Sequence, residues 1–293
     1  MRTVKAWIEA MRLRTLPVSV AGVFCAFAYT LFTGGAQWLP GVLCLIFAVL
    51  AQISSNFANE YYDFKAGLDK KGRVGPRRGV TEGDISAGAM KAATFAVLAL
   101  ACVVGCSLIY WGGWWLIAVG LAVALGVVAY SAGPYPLSHH GLGEIAVILF
   151  FGIVPVNMTY FLMCDAWTSE VLLASLSMGL MGANVLIVNN YRDIDDDRQV
   201  GKSTLCVKLG RPTMAAVYLI DGLIAIALMA ETWIKLGGAW LLIPVLYLCL
   251  HFRLWSDIRH RDGAALNPML GATAMAMLAY ALSFLICAII VTH

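Results

Sequence analysis

Residues 38–69 read WLPGVLCLIFAVLAQISSNFANEYYDFKAGLD. Positions 38–58 carry no charge, and as a helix they are long enough to cross the roughly 30 Å hydrocarbon core of a bilayer. Asn56, Asn59, Glu60, Asp63 and Asp69 then crowd the end of that run. An apolar span that closes in amides and carboxylates makes this chain an integral membrane protein with polar chemistry at one membrane surface. Composition agrees: 61% of the 293 residues are hydrophobic and only 13% charged, against about 25% charged in soluble domains. The 28 glycines and nine tryptophans suit a helical bundle with close packing and interfacial anchors.

Runs of similar length lie near 16–33, 90–110, 113–131, 142–162, 171–190, 213–231, 236–254 and 268–291. With 38–58 they predict an all-α bundle of nine transmembrane helices forming a single domain over 1–293. The run after Arg14 reads as a first span rather than a cleaved signal. The turn between the third and fourth spans is short, built on Trp111, Gly112, Gly113, Trp114 and Trp115. Nine spans place nineteen of the twenty Lys and Arg on one side and Lys235 alone on the other. By the positive-inside rule that side is cytoplasmic, so the N-terminus is inside, His293 is outside, and the location is the cytoplasmic (inner) membrane. A net charge of +3 with basic residues sorted this way excludes a nucleic-acid binder and leaves membrane lipid as a partner. The eight cysteines show no CxxC pair and read as small core residues. Asp221, inside a predicted span, either snorkels toward the surface or has a mechanistic role.

Asn59 and Asp63 stand four residues apart and share a helical face. Asp69 would point about 240° away on a continuous helix, so the three oxygens meet only if Gly67 ends the helix and the chain folds back. A second cluster closes the sixth span: NNYRDIDDDRQVGKSTL, residues 189–205, repeats Asn189, Asp193 and Asp197 every four residues. Asp195 faces away, and Asp196 competes for the same face. Oxygen ligands without His or Cys suit Mg²⁺, which binds through a few carboxylates together with substrate phosphates. Lys65, Arg73, Arg77 and Arg78 after the first cluster, and Arg198 and Lys202 after the second, can contact a diphosphate; lipid attraction and topology are the alternative for the basic 70–78 loop. The fitting chemistry is metal-assisted departure of diphosphate from an allylic chain, two Mg²⁺ ions neutralising the leaving group, Asp63 and Asp193 at its centre. Tyr62 and Tyr130 can face the carbocation or anchor the interface.

In these residues the chain resembles the intramembrane aromatic prenyltransferases typified by 4-hydroxybenzoate polyprenyltransferase, and within them the 1,4-dihydroxy-2-naphthoate branch. The likeness runs through LRTLPVSVAG (13–22), NFANEYYDFKAGLD (56–69), RVGPRRGVTEG (73–83), YSAGPYPLSHHGLGE (130–144) and NNYRDIDDDRQVGKSTLCVKLGR (189–211). It implies Asn59, Asp63 and Asp69 as one metal and diphosphate motif and Asn189, Asp193 and Asp197 as the other, with Lys202 and Arg77 on diphosphate. Glu60 stands where the family commonly has Asp, which leaves its part in metal binding open, and Leu13 replaces a usual Pro. The branch implies a polyprenyl diphosphate donor, a 1,4-dihydroxy-2-naphthoate acceptor, loss of CO₂ and a demethylmenaquinone product. By position Arg14, Asn56, Tyr130 and the loop to Glu144 line the acceptor pocket, and His139 or His140 can take a phenolic proton. A 4-hydroxybenzoate acceptor is the alternative within the fold, and a secondary transporter is the alternative outside it.

Overall fold

The computed structural model describes residues 2–34, 36–72 and 74–293. A surface helix α1 (Arg2–Met11) leads into α2 (Leu16–Phe32), α3 (Trp38–Lys65), α4 (Ala87–Ser107), α5 (Leu116–Ala129), α6 (Gly143–Cys164), α7 (Ser169–Arg192), α8 (Leu205–Leu228), α9 (Leu242–Arg259) and α10 (Asn267–Thr292). Among the described residues eight helices are long and apolar enough to cross a membrane, and α5 is apolar but only 14 residues long. At 28 residues, about 42 Å, α3 overruns the bilayer core and carries Asn59 and Asp63 on its last turns.

Glycine and proline decide where the helices stop. Gly113 (φ +84°) separates α4 and the short helix Ile109–Gly112 from α5, in the Trp-rich turn expected there. The seventh run was expected from 213, whereas α8 begins at Leu205; Gly210 (φ 79°, ψ 164°) interrupts it and Pro212 restarts it, so the apolar stretch proper begins close to the expected position. The eighth run, expected from 236, begins at Gly238 as a 3₁₀ turn (Gly238–Leu241) and becomes α-helix at Leu242, Gly237 and Gly238 (φ +62° and +55°) breaking the chain ahead of it. The helix Ala230–Leu236 ahead of that break buries Trp233.

Three packings hold the bundle together. α2 lies along α10, α3 along α4, and α7 sits between α6 and α8. The α6–α7 contact is backbone on backbone: a Cβ on Gly152 would stand 2.4 Å from the Ser175 carbonyl oxygen and 2.5 Å from Gly179 Cα. Small residues let helices approach this closely in a membrane. Residues Ile148–Ile153 of α6 wind as π-helix at this contact, a local widening of the kind common at functional sites. Of the cysteines, Cys25, Cys44, Cys206 and Cys287 are buried as core residues. Cys102, Cys106 and Cys249 instead are exposed, the first two on the α4 face that lines an apolar cavity.

Gly152→Val should therefore lower the melting temperature of the detergent-solubilised protein by about 5 °C or more, as overpacking a tight contact requires. Gly271→Ala, on α10 with open space around its Cα, should leave it unchanged. Equal melting for both variants would rule out the close α6–α7 approach.

Candidate active site

Both acidic clusters end in the same backbone device. After α3, Gly67 takes φ +71°, its N–H donates to Phe64 O (3.0 Å), and the Leu68 N–H donates to Asp63 O (2.9 Å). After the short helix Ile194–Gln199, Gly201 takes φ +77°, its N–H donates to Arg198 O (3.3 Å), and the Lys202 N–H donates to Asp197 O (2.9 Å). This paired pattern is a Schellman motif, and each one reverses the chain immediately after an aspartate. The break expected at Gly67 is present.

The first reversal brings Asp69 back to a guanidinium. Arg78 Nε lies 3.3 Å from Asp69 Oδ2, and Arg78 Nη2 donates to Asn59 Oδ1 (3.1 Å). Asp69 therefore joins Asn59 and Asp63 through Arg78 instead of standing beside them. The second reversal throws Lys202 across the site, where its Nζ donates to Asp63 Oδ2 (3.0 Å). His139 Nε2 lies 3.1 Å from Asp63 Oδ1, and Ser203 N–H donates to the His139 carbonyl (2.7 Å). Asn59 Nδ2 lies 3.3 Å from Asp63 Oδ2, as their shared face requires.

The 189–197 stripe survives a kink. α7 ends at Arg192, and Asp193 (φ −92°, ψ 6°) links it to the short helix, yet Asp193 N–H bonds Asn189 O (3.1 Å) and Asp197 N–H bonds Asp193 O (2.8 Å). Asn189, Asp193 and Asp197 all line one cavity. Asp196 is not in its wall. Asp195 is exposed and paired with Arg211 (3.0 Å) and Arg198 (3.7 Å).

That cavity, about 530 Å³, is walled by α2, α3, α7 and the loops at their polar ends. Of the residues singled out from sequence it gathers Arg14, Asn56, Asn59, Asp63, Arg77, Arg78, Tyr130, Asn189, Asp193, Asp197 and Lys202. Asp69, Lys65, Tyr62, Arg198 and Glu144 are not in its wall. Lys65 is exposed at the end of α3, Tyr62 packs edge-on against Tyr61, and Glu144 is buried behind Asn190, whose Nδ2 donates to Glu144 Oε1 (3.1 Å). Arg77 reaches the wall while bonded to Asp84 and 3.6 Å from Glu9. Arg73 lies outside the described residues.

Two arginines read from sequence only as topology markers belong to this site. Arg192 is buried, donates through Nε and Nη2 to both Asp193 oxygens (2.6 and 2.7 Å), through Nη2 to Asn189 Oδ1 (2.9 Å) and through Nη1 to Asn267 Oδ1 (3.0 Å). Arg12 bonds Asn59 Oδ1 from a left-handed backbone (φ 51°, ψ 56°), a conformation costly for a residue with a Cβ. The sequence signal for Arg192 was its place between Asn189 and Asp193; Arg12 had none. Glu60, 1% exposed, accepts from the Val80 N–H (3.0 Å) and so pins the helix Gly79–Glu82 that follows Arg78. Its longer arm serves the loop.

The donor set fits Mg²⁺ in kind, being amide and carboxylate oxygens around one cavity. Among the described residues no group of three or more His, Cys, Asp or Glu stands close enough to hold an ion unaided. An ion here would complete its shell with oxygens of a bound anion. A second, apolar cavity of about 270 Å³ runs between α3, α4, α5 and α6, with Phe47, Leu98, Val123, Phe150 and Met158 in its wall. It shares Gln52, Ser55, Tyr130, Val147 and Phe151 with the polar cavity, so the two meet. The arrangement can hold an anionic head beside carboxylates and lay an apolar tail along the groove.

Glu60→Ala should free the 74–84 loop and raise tryptic cleavage at Arg77 and Arg78 several-fold in detergent. Unchanged cleavage, measured by mass spectrometry of the digest, would show that Glu60 does not hold that loop.

Comparison with known proteins places this architecture. The protein is 33% identical to 1,4-dihydroxy-2-naphthoate octaprenyltransferase of Escherichia coli (strain K12), over 96% of this chain and 94% of the relative. It is 33% identical to the enzyme of the same name from Mycobacterium tuberculosis, over 94% of each chain. Among solved structures, the UbiA homolog of Archaeoglobus fulgidus bound to DMAPP and Mg²⁺ superposes with a TM-score of 0.66 at 17% identity, covering 95% of this chain and 98% of that one. The apo UbiA homolog of Aeropyrum pernix K1 superposes at 0.68, again at 17% identity, covering 96% and 98%. The UbiA prenyltransferase family profile matches residues 19–278, and with relatives at this identity over nearly the whole length, the chain belongs to the UbiA prenyltransferase family.

Proposed function

We propose that this protein transfers a polyprenyl group from polyprenyl diphosphate to 1,4-dihydroxy-2-naphthoate, releasing diphosphate and CO₂ and giving demethylmenaquinol, the reduced form of demethylmenaquinone. The observation that carries the reading is the meeting of the polar cavity, walled by both acidic motifs, with the apolar groove. The full-length likeness to enzymes named for this acceptor supports its identity.

The prenyl chain lies in the groove and its diphosphate in the polar cavity, among Arg12, Arg78 and Lys202, whose positions are set by bonds to Asn59, Asp69 and Asp63. Charges fixed in place before the substrate arrives stabilise a leaving anion without reorganising. Asn59, Asp63, Asn189, Asp193 and Asp197 hold Mg²⁺, with one ion proposed for each acidic motif. When bound, Mg²⁺ neutralises charge on the departing diphosphate. The prenyl carbon–oxygen bond breaks, a bond forms between that carbon and the ring, and the carboxylate leaves as CO₂. Tyr130 stands where the two cavities meet and offers its ring face to the allylic cation. Arg14 and Asn56 wall the acceptor side, Asn56 being anchored by donation to Met11 O (2.9 Å). The excess of Lys and Arg at this end supports a cytoplasmic site in a multi-pass inner-membrane protein.

The test is a product assay by mass spectrometry on purified protein, offering dihydroxynaphthoate and 4-hydroxybenzoate together with one polyprenyl diphosphate. A prenylated naphthoquinol lacking the carboxylate, abolished by EDTA and restored by Mg²⁺, is expected; prenylated 4-hydroxybenzoate alone would overturn the acceptor. Asp63→Asn and Asp193→Asn should each lower turnover at least a hundredfold with the bundle intact, and near-normal turnover would remove these residues from the centre. Asp195→Asn should cost less than Asp197→Asn. His293→Cys should react with an impermeant maleimide from outside intact cells, and labelling only after lysis would reverse the orientation.

A further inference from the structure

The polar cavity is rich in charge, and its carboxylates are already engaged by cations. What it offers to an uncharged hydroxyl is scarcer. Gln52 and Asn190 supply it, and the orientation of each amide can be argued from its partners.

Gln52, 8% exposed, lies where the polar cavity and the apolar groove meet. Its Nε2 donates to Thr15 Oγ1 (3.2 Å) and Asn56 Oδ1 (3.4 Å). The Thr15 hydroxyl proton is committed to the Arg12 carbonyl (2.9 Å), so Thr15 Oγ1 can only accept from Gln52, and the NH₂ must face it. Gln52 Oε1 is left buried without a hydrogen-bond partner. A buried carbonyl oxygen left unmatched is costly, and at the wall of a binding cavity a ligand donor is the natural remedy.

Asn190, 8% exposed on α7, repeats the arrangement across the cavity. Its Nδ2 donates to Glu144 Oε1 (3.1 Å), a carboxylate buried behind the wall. With the Asn190 NH₂ taken by Glu144, its carbonyl oxygen is left for another partner, and Asn190 lines the polar cavity. Its neighbour Asn189 is set the other way, its oxygen taken by Arg192.

We propose that Gln52 Oε1 and Asn190 Oδ1 each accept a hydrogen bond from a ring hydroxyl of the aromatic acceptor, making these two amides the residues that select a dihydroxylated ring. The inference rests on the prenyl-transfer reading and adds the acceptor's contacts to it. Glu144 and Thr15 are positioning residues, acting through the amides they orient.

The test pairs ligand and protein changes. Binding of dihydroxynaphthoate and of its two monomethyl ethers is measured by ligand fluorescence on protein in detergent, beside the product assay. Each ether should bind wild type about tenfold more weakly, the loss of one matched hydrogen bond. Gln52→Leu should erase the penalty for one ether and Asn190→Leu for the other. Glu144→Gln, which can present an NH₂ to Asn190 and turn its amide over, should shrink the same penalty as Asn190→Leu. Equal binding of ethers and parent by wild type overturns the proposal and needs no variant to fold; so does a penalty that persists in both Leu variants. Ether discrimination without any prenylated product would leave the amide assignment standing and sink the transfer reading. No binding of any of the three compounds would sink both.

Discussion

The structure depends on one electrostatic constraint: carboxylates placed at the ends of membrane helices, next to a low-dielectric interior, must each hold a cation or lose their charge. Asp63 holds Lys202, Asp193 holds Arg192, and Asp69 holds Arg78. Asp63 is bonded by Lys202 and His139, 139 and 76 residues away, Arg78 also reaches Asn59, and Arg192 also reaches Asn267, so these bonds tie the α3 end, the 74–84 loop, the 131–143 loop and the α7 end into one wall. The same pairs prepare the site. In the proposed reaction, cations held against carboxylates meet the diphosphate, and the freed carboxylate oxygens then take metal.

The chain reversals that allow this pairing are local. In both motifs an aspartate is followed four residues later by a glycine with positive φ, Gly67 and Gly201, and the carbonyl of that aspartate accepts the closing bond of the turn. Each aspartate thus serves twice: its side chain faces the cavity and its backbone ends the helix. A side chain larger than hydrogen at either glycine would strain the left-handed backbone, and the returning segment would miss its partner.

Helix packing sets the rest of the cavity. The contact at Gly152 and Gly179 draws α6 onto α7, and the π-turn beside it places Phe151 at the junction of the two cavities. Charge-bearing loops and tight apolar packing therefore act at different places, one around the polar cavity and one along the apolar groove.

Much of this was legible beforehand because it depends on periods and composition. Apolar run lengths gave the spans, the i,i+4 spacing gave Asn59 with Asp63 and Asn189 with Asp193 and Asp197, and Gly67 announced its turn. The late start of α9 and the early start of α8 were less legible, since Gly237, Gly238 and Gly210 break helices at points that hydropathy alone does not mark. Other roles lay beyond reach, because a side chain's partner across the bundle leaves no trace in local spacing. Arg12 and Arg192 looked like topology markers, Glu60's part in metal binding stayed open, and nothing in the spacing singled out Gln52 or Asn190. By itself the sequence determined that the chain is a membrane helical bundle with oxygen-rich motifs at one end, since helical period and transfer energy act residue by residue. Only the tertiary structure decided which cation neutralises which carboxylate and which way each amide faces, since those are set by contacts between segments up to 139 residues apart.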